Sequence, residues 1–344
     1  MEPNALVEVK NLSVSYFTYA GEVHSVRDIS FTLARGKTTA LVGESGCGKT
    51  VASKSLMGLI ERPGRILEGG QILYNGRNVL EFSKKEWSAF RGKECSMIFQ
   101  DALVSLNPTI PVGKQIVENL KNHNEENLAP GQLRQRAAEM IDMAGIPDAE
   151  TCMAKYPHEL SGGQRQRIMI ATAMITRPSL LIADEPTTAL DVTIQAQILE
   201  LMKDLQKRLG MAIVMITHDL GVVADMADDI IVMYAGKIVE RGSGDDIFYD
   251  PRHPYTWALM NSTPRLDWDS KKPLATIEGT IPDAIHPPAG CPFCSRCPYA
   301  MAVCAAHEPP NVAVAGRHQT ACWLTDPRAD TAGVPFKTGG AVHA

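Results

Sequence analysis

No stretch of this chain is both long and apolar. Its longest hydrophobic runs, near 211–217 and 230–235, fall far short of the roughly 20 residues that cross a bilayer. The N-terminus, Met1-Glu2-Pro3-Asn4, has neither the basic flank nor the apolar centre of a signal peptide. Positive charge is not in excess. The formal net charge is −5, so no nucleic-acid footprint covers the molecule as a whole. Repeats of roughly 20–50 residues are missing, and low complexity is confined to a Gly/Ala/Pro-leaning tail after Asp326. These absences predict a soluble chain that meets a membrane only through a partner. At 344 residues with 44% hydrophobic content, one large domain with an extension is expected.

What is present begins with Gly43-Glu44-Ser45-Gly46-Cys47-Gly48-Lys49-Thr50, which fits the P-loop pattern. Lys37 to Val42 predicts a strand and Val51 to Ile60 a helix, the context this motif needs. The glycines let backbone approach phosphate, and successive N–H groups form an anion nest at a helix N-terminus. Lys49 is expected to reach the β- and γ-phosphates, and the Thr50 hydroxyl to ligate Mg²⁺. A Gly-rich surface turn would explain the glycines but not Lys49, Thr50 and both flanks. Cys47 stands where serine is common, a candidate reactive thiol.

The second motif is Ser179-Leu180-Leu181-Ile182-Ala183-Asp184-Glu185. A continuous apolar run suits a strand buried on both faces of a parallel sheet. It delivers Asp184 to the carboxyl end of the sheet, where α/β folds bind ligands. Asp184 is expected to hold Mg²⁺ through water, which leaves Glu185 to polarise a water for attack on the γ-phosphate. Asp-Glu pairs also cap helices, but a P-loop upstream favours the catalytic reading.

Between the two lies Leu160-Ser161-Gly162-Gly163-Gln164, which resembles the signature of ABC-type ATPases. The rest of that family's set follows in order. Gln100, after Ser96-Met97-Ile98-Phe99, resembles the Q-loop glutamine, and Ala189-Leu190-Asp191 resembles the D-loop. His218, after the apolar run 211–217, resembles the switch histidine, and Tyr16 the aromatic that stacks on adenine. The resemblance spans about residues 5–250. It implies bound ATP, Mg²⁺ held through Thr50, Gln100 and Asp184, and catalysis by Glu185 and His218. Ser161, Gly162, Gly163 and Gln164 open a predicted helix running through Arg165 to Ile175, and its N-terminal N–H groups offer another anion site. In the family that site closes on the γ-phosphate held by a second subunit. One motif of each kind makes this chain half of a motor, so a second ABC ATPase subunit, related but not identical, is implied.

The remaining pattern gives the layout. Residues 6–34 alternate, with Ile29, Phe31 and Leu33 on one face, as in antiparallel strands. Within 101–177, Leu133, Ala137, Met140, Ile141 and Ala144 recur at helical spacing, which predicts a helical insertion. Residues 194–209 predict an amphipathic helix through Ile194, Ile198, Leu201, Leu205 and Leu209, closed by Gly210. The expected domains are an ATPase domain over 1–250, a connector over 251–290, a Cys-rich extension over 291–326 and a mobile tail over 327–344.

Five of the eight cysteines, Cys291, Cys294, Cys297, Cys304 and Cys322, fall in that extension. Disulfides are not expected in a cytosolic ATPase, so the clustering argues for metal. Two overlapping C-x₂-C steps followed by Pro298 fit iron–sulfur runs. A Cys₄ zinc site is the chemical rival, with His286, His307 and His318 as further donors. Spacing alone allows Cys291, Cys294 and Cys297 plus one more. The pieces Gly290-Cys291-Pro292-Phe293, Arg296-Cys297-Pro298-Tyr299, Cys304 and Ala321-Cys322, with His253-Pro254-Tyr255-Thr256, resemble the C-terminal extension of the oligopeptide/dipeptide branch of ABC importers. That resemblance implies a 4Fe–4S cluster on Cys291, Cys297, Cys304 and Cys322, with Cys294 a fifth thiol outside the pattern.

The expected fold is therefore an α/β P-loop ABC-type ATPase with a helical subdomain and a small Cys-rich C-terminal domain. The resemblance implies the ATP-hydrolysing subunit of a peptide importer, peripheral on the cytoplasmic face of the inner membrane. Its implied partners are two membrane permease subunits, gripped by the helical insertion and the region after Gln100, and indirectly an extracytoplasmic solute-binding protein. Nucleic acid is not among them. Nickel, an opine, glutathione or a sugar is the alternative cargo, because the motor does not touch the solute. A DNA-repair or translation ATPase is the remoter rival, lacking here its usual coiled-coil insertions or paired ATPase domains.

Overall fold

The structure is a computed structural model and describes residues 4–100, 105–124, 126–188, 190–262 and 276–338. The chain divides into two compact units. The signature unit comprises Met1–Leu6, Leu33–Thr38 and Val79–Ile216; the P-loop unit comprises Val7–Thr32, Thr39–Asn78 and Thr217–Ala344.

Two long strands, β1 (Ala5–Thr18) and β2 (Gly21–Ala34), lie for most of their length in the P-loop unit. Ile29, Phe31 and Leu33 of β2 are buried, as their alternation predicts. A fully buried β3 (Thr38–Val42) leads into the P-loop and helix α1 (Lys49–Ser55). This helix is shorter than the expected 51–60 because Gly58 adopts φ +60 and turns the chain away. Short strands β4 (Gly64–Ile66), β5 (Gln71–Tyr74) and β6 (Arg77–Asn78) complete a five-stranded sheet around β1. In it β4 pairs antiparallel with β1, Val14 opposite Ile66 and Tyr16 opposite Gly64.

The signature unit holds three parallel strands in the order β7 (Cys95–Ile98), β8 (Leu180–Asp184), β9 (Ala212–Ile216). Register sets Ile98 against Ala183, and Asp184 against Ile216. Every residue of these strands is buried, which is why β8 reads as a continuous apolar run. Around them lie α2 (Lys84–Phe90), α3 (Val112–Asn122), α4 (Pro130–Met143), α5 (Ala149–Ala154), α6 (Gly162–Met174) and α7 (Val192–Leu209). The predicted stripe Leu133, Ala137, Met140, Ile141 and Ala144 is buried where α3, α4, α5 and α6 pack together. Helix α7 ends at Gly210, left-handed with φ 67.

The chain then returns to the P-loop unit through α8 (Leu220–Met226), β10 (Asp229–Tyr234) and β11 (Lys237–Gly242). Strand β10 lies parallel to β3, with Asp229 opposite Thr39 and Val232 opposite Val42. Helix α9 (Gly244–Tyr249) follows β11, and the expected connector is partly helical, since α10 (Pro254–Asn261) folds there. Pro254 occupies the first turn of α10, where its missing N–H has no cost. Residues 263–275 lie outside the described residues.

The Cys-rich segment, expected to form a small domain of its own, joins the core of the P-loop unit. It contains α11 (Ala302–Ala306), β12 (Val312–Ala315) and β13 (His318–Thr320). Strand β13 pairs antiparallel with β11, Glu240 opposite Thr320. Cys291, Phe293 and Cys304 share one buried cluster with Val42, Val232, Tyr234 and Tyr255. The segment has too few large apolar residues for a separate core, and these neighbours supply one. After Asp326 the chain makes side-chain contacts. Phe336 lies 6.1 Å from the Trp257 ring and 6.0 Å from that of Tyr299, and Lys337 Nζ is 3.4 Å from Asp250 Oδ1. Only residues 339–344 of the expected mobile tail lie outside the described residues.

Candidate nucleotide site and cysteine cluster

Backbone shape makes the P-loop. Gly43 adopts φ +146, and a Cβ there would stand 2.2 Å from the Met233 carbonyl oxygen. Gly48, at φ +103, precedes α1, and a Cβ would stand 2.4 Å from the Ser25 carbonyl oxygen. Neither obstacle is a side chain that could swing aside, so only glycine fits at either position. Lys49 is buried and folds back over the loop. Its Nζ donates to the carbonyls of Gly43 (2.8 Å) and Glu44 (3.0 Å) and lies 3.6 Å from Cys47 Sγ. Cys47 itself is fully buried. Burial pushes its thiol up more than the Lys49 ammonium pulls it down, which removes the reactivity suspected from sequence.

Tyr16 sits half-buried on β1 opposite Gly64. A Cβ at residue 64 would come within 2.7 Å of the ring, so glycine leaves the tyrosine its space. Burial, helped by Glu61, raises its phenol. His218 is exposed on the loop before α8; next to it Asp219 caps that helix, accepting from the N–H of Gly221 (2.9 Å) and Val222 (3.3 Å).

In the signature unit, Asp184 ends β8 buried. Glu185 follows in a left-handed conformation, φ 48, rare for a residue with a side chain. Its N–H donates to the Ile216 carbonyl at 2.8 Å, extending the β8–β9 ladder by one residue. Its Oε2 accepts from Gln100 Nε2 (2.8 Å) and from Thr188 Oγ1 (2.9 Å). The structure thus brings together the expected Q-loop glutamine and the expected general base. Ser161 caps α6 through a capping box with Gln164: Ser161 N–H donates to Gln164 Oε1 (3.0 Å) and Gln164 N–H to Ser161 Oγ (3.3 Å). A Cβ on Gly163 would stand 2.9 Å from Ile194 Cγ2, so α6 and α7 approach closely there. Asp191 caps α7, its Oδ1 accepting from Ile194 N–H at 2.9 Å. Ala189 lies outside the described residues.

All five clustered cysteines are free thiols; Cys291, Cys304 and Cys322 are buried, Cys294 and Cys297 half-buried. Burial pushes the Cys291 thiol up to about 12 and Cys297 to about 11. Cys322 is driven higher still, again mainly by burial, with Cys291, Cys297 and Cys304 adding to the push. The sulfurs therefore feel one another. Four also receive a backbone donor: Phe293 N–H to Cys291, Tyr299 N–H to Cys297, Leu324 N–H to Cys322, and Met301 N–H to Cys304 at 3.5 Å. For Cys294 only burial and Cys304 act on the thiol. Among the described residues, no group of three or more His, Cys, Asp or Glu side chains is arranged to hold a metal ion. His318 is no spare zinc ligand. It is buried with its Nε2 2.7 Å from Glu240 Oε1, and the same carboxylate accepts from Arg252 N–H (2.6 Å) and His253 N–H (3.0 Å).

Sequence reasoning passed over two residues that reach the P-loop. Tyr255 accepts the Glu44 N–H, and Arg296 pairs with the Glu44 carboxylate. The signal available was an acidic residue inside a phosphate loop, which calls for a cation somewhere in the fold.

Comparison with known proteins gives the family. Residues 26–188 match the family model described as ABC transporter, and residues 239–304 that described as the C-terminal region of oligopeptide/dipeptide transporters. The oligopeptide transport ATP-binding protein OppD of Bacillus subtilis is 52% identical over 324 residues, covering 94% of this chain and 90% of that protein. The dipeptide transport ATP-binding protein DppD of Lactococcus lactis is 50% identical over 329 residues, covering 96% and 93%. Among solved structures, the dimeric ATP-binding cassette MJ0796, in a post-hydrolysis state with ADP and Pi, superimposes with a TM-score of 0.62 at 24% identity over 69% of this chain and 98% of that one. The structure of cbiO1 from Clostridium perfringens gives 0.61 at 27% identity, over 71% and 91%. Among the described residues, no helix is long and apolar enough to cross a membrane.

Proposed function

The chain belongs to the ATP-binding subunits of oligopeptide and dipeptide ABC transporters, and from that premise we infer that it is the ATP-hydrolysing motor of a peptide importer. In this reading the P-loop N–H groups and Lys49 bind the β- and γ-phosphates, and Tyr16 stacks on adenine. The family resemblance assigns Mg²⁺ to Thr50, Gln100 and Asp184, which would hold it, and the ion would supply charge neutralisation at the phosphoryl oxygens. Glu185 accepts the proton of the attacking water as its oxygen bonds the γ-phosphorus, and the bond to the leaving ADP oxygen breaks. His218 contacts the same phosphate.

The observation that carries the catalytic assignment is the Glu185 carboxylate. It stands directly after Asp184 on a left-handed residue and is held by Gln100 and Thr188. Glu185→Gln keeps the shape and removes the base. It should retain ATP binding and lower turnover by roughly 10²–10⁴-fold; near-wild-type hydrolysis in the reconstituted transporter would sink the assignment.

The signature end of α6, Ser161 to Gln164, acts on ATP held by a second, related ATPase subunit, with Asp191 at the same junction. Two permease subunits carry the solute, fed by an extracytoplasmic binding protein, and this subunit works at the cytoplasmic membrane face. The cysteine segment carries a 4Fe–4S cluster on Cys291, Cys297, Cys304 and Cys322. What supports that ligand set is the donor chemistry: each of the four thiols receives a backbone N–H, while electrostatic reach extends to Cys294 as well. Such bonds stabilise ligated thiolates. Cys294 lacks one. Zinc on the same four thiols is the alternative.

A further inference from the structure

Glu44 is an anomaly in a loop that receives a polyphosphate, because its carboxylate repels the ligand. Arg296 offsets it. Nη1 donates to Glu44 Oε2 at 2.6 Å and Nη2 to Oε1 at 3.0 Å. The rest of the fork is used as well. Nη1 also donates to the Tyr234 hydroxyl (3.2 Å), Nη2 to the Ile277 carbonyl (2.9 Å) and Nε to the Glu278 carbonyl (2.9 Å). All five guanidinium donors therefore have partners, a set that lysine cannot reproduce. The Arg296 side chain is 4% exposed, and its guanidinium lies 5.7 Å from the Tyr234 ring centroid and 5.9 Å from that of Phe293. A second contact grips the same loop residue from its backbone: Glu44 N–H donates to the buried Tyr255 hydroxyl at 2.8 Å.

We propose that Arg296 is a positioning residue for ATP, neutralising Glu44 and, with Tyr255, setting the P-loop backbone before nucleotide arrives. The proposal rests on the ATP-binding reading of the P-loop. Arg296 lies in the turn between Cys294 and Cys297, where Cys297 N–H donates to the Cys294 carbonyl at 3.4 Å. The cysteine segment thereby touches the nucleotide loop through the Arg296 side chain, and its structural state and ATP affinity become linked.

A double-mutant cycle tests this in the full chain, with MgATP affinity read by calorimetry and folding by thermal melting. Arg296→Gln leaves Glu44 charged and unpaired and should weaken MgATP binding roughly tenfold. Adding Glu44→Gln removes the repulsion and should bring affinity back to within about threefold of wild type. A merely architectural arginine would show no such rescue. Wild-type affinity in Arg296→Gln, or a double variant as weak as the single, would overturn the proposal. Should Arg296→Gln not fold, Arg296→Lys keeps the charge and loses the fork. It should bind about threefold more weakly, and unchanged affinity would overturn the anchoring role. Lys49→Ala is the control for the underlying reading: unimpaired binding there would fault the P-loop assignment and not Arg296.

Discussion

Replacing Phe293 with alanine should damage the P-loop unit and not merely the cysteine segment. Phe293 is 1% exposed. Its ring meets Tyr234 edge-on at 5.1 Å, Tyr255 at 5.4 Å and His253 at 5.9 Å. Truncating a fully buried phenylalanine costs about 3–5 kcal/mol, including the cavity left behind, and the lost aromatic pairs fall within that sum. Tyr234 belongs to β10 and Tyr255 to α10, so the cavity opens where three segments meet. Amide exchange read by mass spectrometry resolves the outcome by peptide. At the low end, about 3 kcal/mol is an acceleration on the order of 10²-fold for amides that exchange by opening of this core. It should appear in residues 229–242 and 254–261 as well as 291–326. Faster exchange confined to 291–326, with β10, β11 and α10 unchanged, would refute the shared core and restore a separate C-terminal domain.

Three further outcomes follow from the same geometry. Gly43→Ala forces a Cβ against the Met233 carbonyl at φ +146; MgATP binding by calorimetry should be lost, and retained affinity would show that the loop can shift. His253 is buried, accepts the Tyr255 N–H at Nδ1 (3.0 Å), and is pushed by burial from 6.5 down to about 3. The unfolded chain therefore takes up a proton that the folded chain refuses. His253 contributes full stability above pH 6.5, and stability declines as pH falls from there toward 3, by up to about 1.4 kcal/mol per unit. Urea midpoints between pH 7.5 and 5 should fall more steeply for wild type than for His253→Asn, and equal slopes would contradict the buried neutral imidazole. Anaerobically purified protein should carry about four iron and four sulfide. Serine at Cys291, Cys297, Cys304 or Cys322 should bleach it and Cys294→Ser should not; stoichiometric zinc without iron would refute the cluster, and bleaching by Cys294→Ser would refute the ligand set.

The sequence by itself determined everything that rests on short-range pattern. β8 announces itself because a strand buried on both faces must be apolar throughout, and α7 because burial of one face imposes a period near 3.6. Gly43 and Gly48 mark the P-loop because their backbone angles and neighbours admit no side chain. Serine three residues before Gln164 declares a helix start before any packing is known. The C-terminal half was legible only in part. The connector reading of 251–290 missed α10, whose first turn holds Pro254. The thiols of the extension show their clustering in sequence, but which four receive backbone donors depends on turns that spacing does not specify. The tertiary structure alone decided that β13 would add to β11, that Phe293 would fill a core with Tyr234 and Tyr255, and that Glu240 would claim His318. It also decided the pairing of Glu44 with Arg296, 252 positions apart. Charge complementarity at that separation leaves no periodic trace along the chain; it exists only once the fold has brought the two side chains within hydrogen-bonding distance and excluded water from the arginine.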